Sequence, residues 1–392
     1  MKLVRTVLGD VDVIRLGRVN YHEHLFQVSP LLVGDELTDE RASQAEARLL
    51  AASGFDAMVD ATPVGLGRNP EALARISAAT GLMVIGATGM HREAHYSSDH
   101  WLRSLGVQRR AELFLDDLLH GMPRRDGGQN GNWHRNRHGD RDGNRDGKRD
   151  GKRDGKRDGN RDGKRDGNRD GNRNGNRDGN RDGNRNGNRN GNRNGNRESE
   201  RANGPDGSPV RAGLLKAGVG YWSITSFERE TLEAVAIAQT ATGAPVMVHL
   251  EFCTAAHEVL DLLGSIGVPA DRVVLAHADR DPNPLLHLEL TARGVWLGYD
   301  GMARPRTRSD AELLDLTEAV VSGGAIDHIL IGGDVARSSR YIAYGGMPGL
   351  AYLGERYLPQ LRARIGTGAV EGILTTNAQR FLAWTIPETL DR

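Results

Sequence analysis

Short apolar runs alternate along the chain with longer segments in which apolar residues recur at helical spacing. The runs that predict β-strands are Val19–Phe26, Ala57–Ala61, Met83–Ala87, Ala212–Lys216, Val246–His249, Val273–His277, Val295–Tyr299 and Ile329–Gly332. The segments with helical period include Asp39–Ser53, Glu71–Thr80, Arg109–Leu119, Glu228–Thr242 and Ala255–Leu263. Near-continuous apolar strands separated by helices are typical of parallel βα units. Eight such units favour an α/β fold of the (β/α)8 TIM-barrel type over an open doubly wound sheet, and no G-x-G-x-x-G motif follows the first strand.

One long segment interrupts this pattern between the third predicted helix and the fourth predicted strand. From about Arg124 to Arg201 the chain repeats Arg-Asp-Gly-Asn, with Lys and Asn variants, and has almost no apolar residues. Such a repeat has no apolar face whose burial could offset the entropy lost on ordering. We therefore expect a disordered low-complexity insert at 124–208, on the barrel face opposite the active site, and one barrel domain built from 1–123 and 209–392.

The distribution of charge follows the same division. The chain has 52 Lys and Arg residues and 52 Asp and Glu residues, so its formal net charge is zero. The Arg124–Arg201 tract carries 24 basic and 14 acidic residues, which leaves the remainder acidic. A basic tract raises the alternative of nucleic-acid binding through counterion release. Its only aromatic residue is Trp133, whereas single-strand binders stack bases on aromatic side chains, so we do not expect a nucleic-acid partner.

The cysteine count and the hydropathy pattern bear on location. Cys253 is the only cysteine, which excludes an internal disulfide. The N-terminal segment carries charges and glycine where a signal peptide needs an apolar core, and no apolar run approaches the roughly 20 residues of a membrane span. We expect a cytoplasmic protein that has no contact with a membrane.

Residues able to bind a metal ion stand at the carboxyl ends of five predicted strands. They are His22 and His24, Lys216, His249, His277 and Asp334. In a βα barrel the active site lies at this end of the strands, and nitrogen and oxygen ligands without a thiolate suit zinc or a similar divalent ion. Taken singly, the histidines could be structural, the lysine a rim residue and the aspartate a helix cap. Six such residues at one end of five strands would be a large coincidence, so we predict a metal centre.

The sequences around these residues resemble the metal-binding motifs of the phosphotriesterase family, which belongs to the amidohydrolase superfamily. The matching segments are YHEHLF, RAGLLKAG, VMVHLE, VVLAHADR and ILIGGDVAR, in family order. The N-terminal RTVLGDV, the eighth-loop YGGMPGLAYL and the C-terminal NAQRFL also resemble the family. The likeness therefore covers the whole chain except the insert.

The resemblance implies a hydrolase of an ester, lactone or phosphoester that uses two divalent ions and a hydroxide shared between them. It assigns one ion to His22, His24 and Asp334, the second to His249 and His277, and a bridging role to Lys216 carboxylated by carbon dioxide. Zinc is the expected metal, with manganese or cobalt as alternatives. Asp334 would be the catalytic residue that accepts the proton of the nucleophile. A small-molecule substrate and a homodimer complete these expectations.

The sequence departs from the best-known organophosphate hydrolases of the family at their proton relay. Gly301 stands where their loop-seven histidine would be, and Arg280 stands where their loop-six aspartate would be. The arginine that the lactonases usually carry after the loop-seven aspartate is also absent. A proficient organophosphate triesterase is therefore the alternative to a phosphotriesterase-related or lactonase-like hydrolase.

Further residues that follow predicted strands are candidates for binding the substrate. They are His91, Tyr96, Arg280, Tyr299, Arg337 and Arg340. The arginines could recognise a substrate carboxylate or phosphate through bidentate contacts, or they could be solvated loop charges. Cys253 follows the fifth strand, but a metal centre would already supply a nucleophile, so we expect no cysteine nucleophile.

Overall fold

The predicted strands form one parallel sheet that curls into a barrel. The computed structural model describes residues 2–124 and 200–384. Its strands are an antiparallel hairpin of β1 (Leu3–Thr6) and β2 (Gly9–Asp12), then the eight barrel strands β3 (Val19–Glu23), β4 (Ala57–Asp60), β5 (Met83–Gly89), β6 (Leu214–Gly218), β7 (Val246–His249), β8 (Val273–Ala276), β9 (Trp296–Tyr299) and β10 (Ile329–Ile331), hydrogen-bonded in chain order. The N–H groups of Gly333 and Asp334, just after β10, donate to the His22 carbonyl of β3 at 3.3 and 2.9 Å, which brings the two edges together. The (β/α)8 prediction is confirmed.

Helices cover the outer face of this barrel. They are α1 (Glu40–Ala52), α2 (Pro70–Thr80), α3 (Val107–Leu119), α4 (Ser226–Thr242), α5 (Ala256–Ser265), α6 (Pro284–Ala292), α7 (Asp310–Ser322), α8 (Leu358–Ile365), α9 (Thr367–Gly372) and α10 (Ala378–Leu382). The sequence sets their ends: Thr225 and Glu228 form a capping box at the start of α4, and Gly243 ends that helix in the left-handed conformation at φ 71°. In the described part of the chain, none of the helices has the length and apolar character needed to cross a bilayer.

Alternation along the strands decides which side chains enter the barrel. Successive side chains of a strand point to opposite faces, so Leu214 and Lys216 of β6 share the inner face, as do Met247 and His249 of β7. Leu214 and Met247 belong to an apolar cluster that fills the barrel interior. Leu215 lies between Leu214 and Lys216 in the sequence and points to the outer face, where it packs in the larger cluster with the helices. The polar side chains at the strand ends therefore lie directly above this apolar cluster in the barrel interior.

The β1–β2 hairpin lies against the amino-terminal end of the barrel. The Val7 N–H donates to the Val84 carbonyl at 2.8 Å, and the Arg5 guanidinium donates to the Leu118 carbonyl at 2.7 Å. Gly213 passes so close to the hairpin that a Cβ atom there would lie 2.2 Å from the Arg5 carbonyl oxygen, so this position requires glycine. The hairpin covers the end of the barrel opposite the predicted metal ligands.

The two ends of the predicted insert meet between α3 and β6. The Arg124 N–H donates to the Glu200 carbonyl at 3.0 Å, and the side chain of Ala202 is fully buried. Ala202, which the sequence pattern assigns to the insert, therefore packs with the folded body. The predicted disorder itself falls on residues 125–199, which lie outside the described residues.

Candidate metal centre

Four of the predicted ligands meet where β3, β6 and β10 end. The Nζ atom of Lys216 lies 3.3 Å from Nε2 of His22. Oδ1 of Asp334 lies 3.7 Å from the same nitrogen and 3.6 Å from Nε2 of His24. His22, His24 and Asp334 offer ligand atoms that all lie within 4.8 Å of one another, which is a spacing that suits one metal ion.

The other two predicted ligands, His249 and His277, lie beside this group. Their ring centroids are 4.5 Å apart, and the ring of His277 lies 5.1 Å from that of His22. Both rings are buried. The structure thus brings all six predicted ligands into one cluster at the carboxyl ends of the strands.

Asp300, which follows β9, holds a histidine from each part of this cluster. Its Oδ2 accepts a hydrogen bond from Nδ1 of His22 at 2.9 Å, and its Oδ1 accepts one from Nδ1 of His277 at 2.5 Å. The Tyr21 hydroxyl also donates to this carboxylate. Oδ2 of Asp279 accepts the backbone N–H of Asp300 at 2.9 Å and so fixes the loop that carries it. The sequence reasoning gave Asp300 no role, although its place at the end of the seventh barrel strand was a usable signal.

The remaining two histidines are oriented in the same way by other residues. Nδ1 of His24 lies 2.8 Å from the Thr62 hydroxyl, and Nε2 of His249 lies 2.9 Å from Oε1 of Glu251. Each of the four histidines therefore has one ring nitrogen bound to a residue behind the cluster. The opposite nitrogen of His22 faces Lys216 at 3.3 Å, and that of His24 faces Asp334 at 3.6 Å, so these two nitrogens point to other predicted ligands. Metal-binding histidines in proteins have this arrangement, in which a hydrogen bond to one nitrogen fixes the tautomer and the ring orientation.

The protonation states agree with metal binding. Burial lowers the pKa of His277 to about 3, lowers the pKa of His22, and holds the pKa values of His24 and His249 well below 6.5. All four imidazoles are therefore neutral at pH 7, which is the form that donates an electron pair to a metal ion. The residues present fit a pair of divalent ions.

Lys216 and Asp334 carry the charges of the cluster. Lys216 is 1% exposed, and burial lowers its pKa from 10.5 to about 8 against the attraction of Asp334 and Asp300. Burial disfavours the ionised form of Asp334, but the Arg304 guanidinium, 2.8 Å from Oδ2, favours it and holds the pKa of Asp334 below its ordinary value. Asp334 is therefore a carboxylate, and a sizeable fraction of Lys216 is a neutral amine near pH 8.

The loops around the cluster contain unusual backbone conformations. Seven non-glycine residues in the described part of the chain have a positive φ, and all follow strands β6 to β10: Trp222, Phe252, Cys253, His277, Ala303, Asp334 and Ala336. Such conformations cost about 1–3 kcal/mol each and persist where surrounding structure enforces them, commonly at functional sites. Two of the seven, His277 at φ 63° and Asp334 at φ 42°, are predicted metal ligands.

A cavity of about 300 Å³ opens above the cluster. Of the described residues that line it, only Leu32 and Ala336 contribute apolar side chains. Its basic side chains are Arg92, Arg280, Arg304 and Arg337, and its acidic ones are Glu251 and Asp334. The lining also includes Gln27, His91 and His95. The space over the candidate metal ligands is therefore polar and richer in basic than in acidic groups.

Comparison with known proteins agrees with this geometry. The sequence profile of the phosphotriesterase family matches residues 2–126 and 198–382, which include all six residues of the cluster. The chain belongs to this family. The match leaves out residues 127–197, which make up most of the low-complexity tract.

Relatives of this phosphotriesterase-family protein include a phospho-furanose lactonase from Mycoplasmopsis synoviae, 32% identical over 48% of this chain and 56% of the relative. In this alignment the chain thus spans about half the length of the relative. A human N-acetyltaurine hydrolase is 21% identical over 97% of this chain and 98% of its own length. Among solved structures, a lactonase from Listeria monocytogenes superposes with a TM-score of 0.72 at 22% identity and covers 98% of this chain and 100% of the lactonase. The latter likeness shows the shared fold.

In this family member a side chain at position 301 would displace Asp279. A Cβ atom at Gly301 would lie 2.9 Å from Oδ2 of Asp279. That oxygen also accepts the Gly301 N–H at 2.7 Å, so Asp279 is held in place. Arg280, where the relay aspartate would be, points its guanidinium to Glu251 at 3.3 Å instead.

The predicted substrate residues divide into two groups. His91, Arg280 and Arg337 line the cavity, whereas Tyr96, Tyr299 and Arg340 do not belong to its lining.

The second group is held by other parts of the protein. The Tyr96 hydroxyl donates to the Val64 carbonyl at 3.0 Å, and the Tyr299 hydroxyl lies 2.6 Å from Nδ1 of His287. The Arg340 guanidinium donates to backbone carbonyls of Met302, Ala303, Asp334 and Val335, which joins the seventh and eighth loops. The sequence did not single out Gln27, Arg92, Glu251 or Arg304, which line the cavity in addition to the predicted residues.

Proposed function

We propose that this protein hydrolyses an ester, lactone or phosphoester with the help of two divalent metal ions. The observation that carries the proposal is the arrangement of the four histidines, each of which has one ring nitrogen bound to a residue behind the cluster, as metal-binding histidines have. Relatives named phospho-furanose lactonase, phosphotriesterase homology protein and N-acetyltaurine hydrolase support hydrolysis as the reaction class.

The cluster would hold the ions in two halves. One ion would bind His22, His24 and Asp334, the second would bind His249 and His277, and carboxylated Lys216 would supply an anionic ligand to both. Nitrogen and oxygen ligands favour zinc and also accept manganese or cobalt. Two divalent ions held by these residues would supply Lewis-acid chemistry, which polarises the bond to be cleaved and lowers the pKa of a water molecule. The lowered pKa of Lys216 favours the neutral amine, which is the form that reacts with carbon dioxide.

Asp334 would accept the proton of the attacking water and pass it to the leaving oxygen. Its carboxylate is held ionised and lies beside His22 and His24, so it can accept the proton that the attacking water releases. The water oxygen forms a bond to the carbonyl carbon or phosphorus, and the bond to the leaving oxygen breaks. The proton then passes from Asp334 to the leaving oxygen, which departs as an alcohol.

The basic side chains of the cavity would bind a charged group of the substrate. Arg280 and Arg337 line the cavity above the cluster, and a guanidinium pairs well with a carboxylate or phosphate through two parallel hydrogen bonds. His91, which also lines the cavity, would contact the same molecule. We therefore propose a small substrate that carries an anionic group.

A substrate screen tests this function directly. Zinc- and manganese-loaded protein is offered γ-lactones, phosphorylated sugar lactones, aryl esters and paraoxon. We expect turnover of a lactone or ester that chelators abolish, and little turnover of paraoxon, because Gly301 stands where the relay histidine would be. Absence of turnover with every compound by metal-loaded protein would contradict the proposal. The expected homodimer is a separate proposal that sedimentation velocity tests.

A further inference from the structure

Arg304, in the loop after β9, lines the cavity and has no part in the proposed reaction. Its Nη2 atom donates to Oδ2 of Asp334 at 2.8 Å and also to the Asp334 backbone carbonyl. Its Nη1 atom donates to the backbone carbonyl of Asp300 at 2.6 Å. One guanidinium therefore joins the residue that follows β9 to the predicted metal ligand that follows β10.

The two carboxylate oxygens of Asp334 face different groups. Oδ1 lies 3.7 Å from Nε2 of His22 and 3.6 Å from Nε2 of His24. Oδ2 accepts the hydrogen bond from Arg304, which is the only described residue that donates to this side chain. The guanidinium of Arg280 lies 3.9 Å from Oδ2, beyond hydrogen-bond distance. Because the two oxygens of a carboxylate are chemically equivalent, the contact with Arg304 decides which of them faces the histidines.

The main chain around this contact is also held in place. Asp334 has a left-handed backbone at φ 42°, a conformation that persists where surrounding contacts enforce it. Arg304 provides such a contact at the Asp334 carbonyl, and Nη1 of Arg340 lies 3.5 Å from the same oxygen. The Arg304 carbonyl in turn accepts the N–H groups of Thr307 and Arg308 at 2.9 and 3.0 Å. The guanidinium thus reaches Asp334 from a fixed turn.

We propose that Arg304 is a positioning residue, which holds Oδ2 of Asp334 and so leaves Oδ1 as the oxygen offered to a metal ion. The ion concerned is the one that the proposed function assigns to Asp334, His22 and His24, and the inference rests on that function. A guanidinium stays protonated at any working pH, so the contact persists through the reaction. An ionised carboxylate has about four acceptor positions, so Asp334 can accept from Arg304 and still receive a proton.

The first test measures the surroundings of the ion and needs no substrate. The full chain is loaded with Co²⁺, whose visible absorption depends on the number and arrangement of its ligands. Arg304→Ala releases Oδ2, so we expect altered cobalt bands with unchanged metal content. Guanidinium chloride at a non-denaturing concentration can enter the vacated space from the cavity and should return the bands towards wild type, whereas potassium chloride should not. Arg306→Ala, at an exposed position of the same loop, is the matched control and should have the wild-type spectrum.

The second test separates positioning from substrate binding. 4-Nitrophenyl acetate carries no charge, so Arg304 cannot act on it by binding an anion. Loss of a group behind a metal ligand typically costs about 10–100-fold, so kcat of Arg304→Ala should fall by this factor while KM stays close to wild type. Arg304→Lys keeps the positive charge without the planar fork of donors and should lie between the two. If Arg304→Ala does not fold, Arg304→Lys is compared with wild type in both tests.

The outcomes distinguish this role from the proposed function. If no compound of the substrate screen is hydrolysed, but the cobalt bands change in Arg304→Ala and guanidinium restores them, the hydrolase is wrong and the positioning role stands. If the ester is hydrolysed and Arg304→Ala matches wild type in spectrum and kcat, the positioning role is wrong and the hydrolase stands. A raised KM with unchanged kcat and spectrum also overturns the inference, because it makes Arg304 a substrate-binding residue. Wild type that binds no cobalt contradicts both.

Discussion

The Nδ1 atom of His277 lies 2.5 Å from Oδ1 of Asp300, inside the mouth of the barrel. The other carboxylate oxygen accepts a hydrogen bond from Nδ1 of His22 at 2.9 Å. In the proposed centre these two histidines bind different ions. One buried carboxylate therefore fixes the orientation of one histidine ligand for each ion, which makes Asp300 a positioning residue for both halves of the proposed centre.

We predict that Asp300→Asn weakens metal binding about 10–100-fold, as loss of a carboxylate behind a metal-bound histidine typically does. A carboxamide has one acceptor oxygen and cannot accept hydrogen bonds from both rings in the same way. Competition with a chromogenic chelator measures the affinity. Asp261→Asn, at an exposed position on α5, is the control and should bind metal like wild type. Wild-type affinity in Asp300→Asn would show that the carboxylate does not support the centre.

A second prediction concerns the charge of the cavity. Arg280→Gln should raise KM for a carboxylate- or phosphate-bearing substrate about 10–100-fold, because a hydrogen bond to a charged group contributes about 1.5–3 kcal/mol. A neutral ester should be affected much less. Arg293→Gln on the outer surface, where Arg293 pairs with Asp261, serves as the control. An equal rise in KM for charged and neutral substrates would indicate a loss of structure and not of anion binding.

A third prediction uses the junction between residues 124 and 200. The Arg124 N–H is bonded to the Glu200 carbonyl, so the two ends are adjacent and a short glycine linker can join them. Removal of 125–199 should leave the thermal midpoint and the activity close to wild type. Removal of 125–208 also deletes buried Ala202 and should lower the midpoint by several degrees. Inactive but folded protein after the shorter deletion would mean that the tract contributes to the site.

Cys253 provides a fourth prediction. Its Sγ lies 3.6 Å from the Ala278 carbonyl oxygen, and burial raises the pKa of the thiol far above its ordinary value. The reactive species is the thiolate, so native protein at pH 8 should resist iodoacetamide and keep its activity. Mass spectrometry should find the adduct only after denaturation. Stoichiometric alkylation of the native protein with loss of activity would contradict this prediction and indicate that Cys253 is a nucleophile.

Much of the fold and of the ligand cluster could be predicted because both depend on periodic patterns. The five named helices begin and end within two residues of their predicted bounds. The carboxyl ends of parallel barrel strands meet on one face, so strand-end residues as distant as His22 and Asp334 could be placed together without knowledge of any contact. The first predicted strand, Val19–Phe26, is shorter in the structure, where the corresponding strand β3 ends at Glu23.

The rest depends on side-chain direction and on contacts that no local pattern records. Tyr299 and Asp300 are neighbours, and consecutive residues of an extended chain point to opposite faces, so the inward aspartate turns the tyrosine towards His287 and away from the cavity. The partnership of Asp300 with His22 joins residues 278 positions apart. Ala202 lies in a stretch rich in polar residues and glycine, which is typical of a linker. In the structure, however, Ala202 is buried.

In the proposed centre, Lys216 would be carboxylated and would be a ligand to both ions. Lys216→Ala removes that anion and leaves four neutral histidines and Asp334 to hold about four positive charges, so at least one ion should leave. Activity should fall by orders of magnitude. Acetate or propionate, which fit the space of the lost side chain, should restore part of it. Lys216→Arg is the matched control, because its guanidinium stays protonated, fills the space and should not be rescued.

The most direct measurement is the metal content of purified wild type and Lys216→Ala by elemental analysis, with zinc supplied during growth. We expect about two ions per chain in wild type and about one or fewer in Lys216→Ala, with ions and activity partly recovered in acetate. A Lys216→Ala protein that retains two ions per chain and full activity would contradict this expectation.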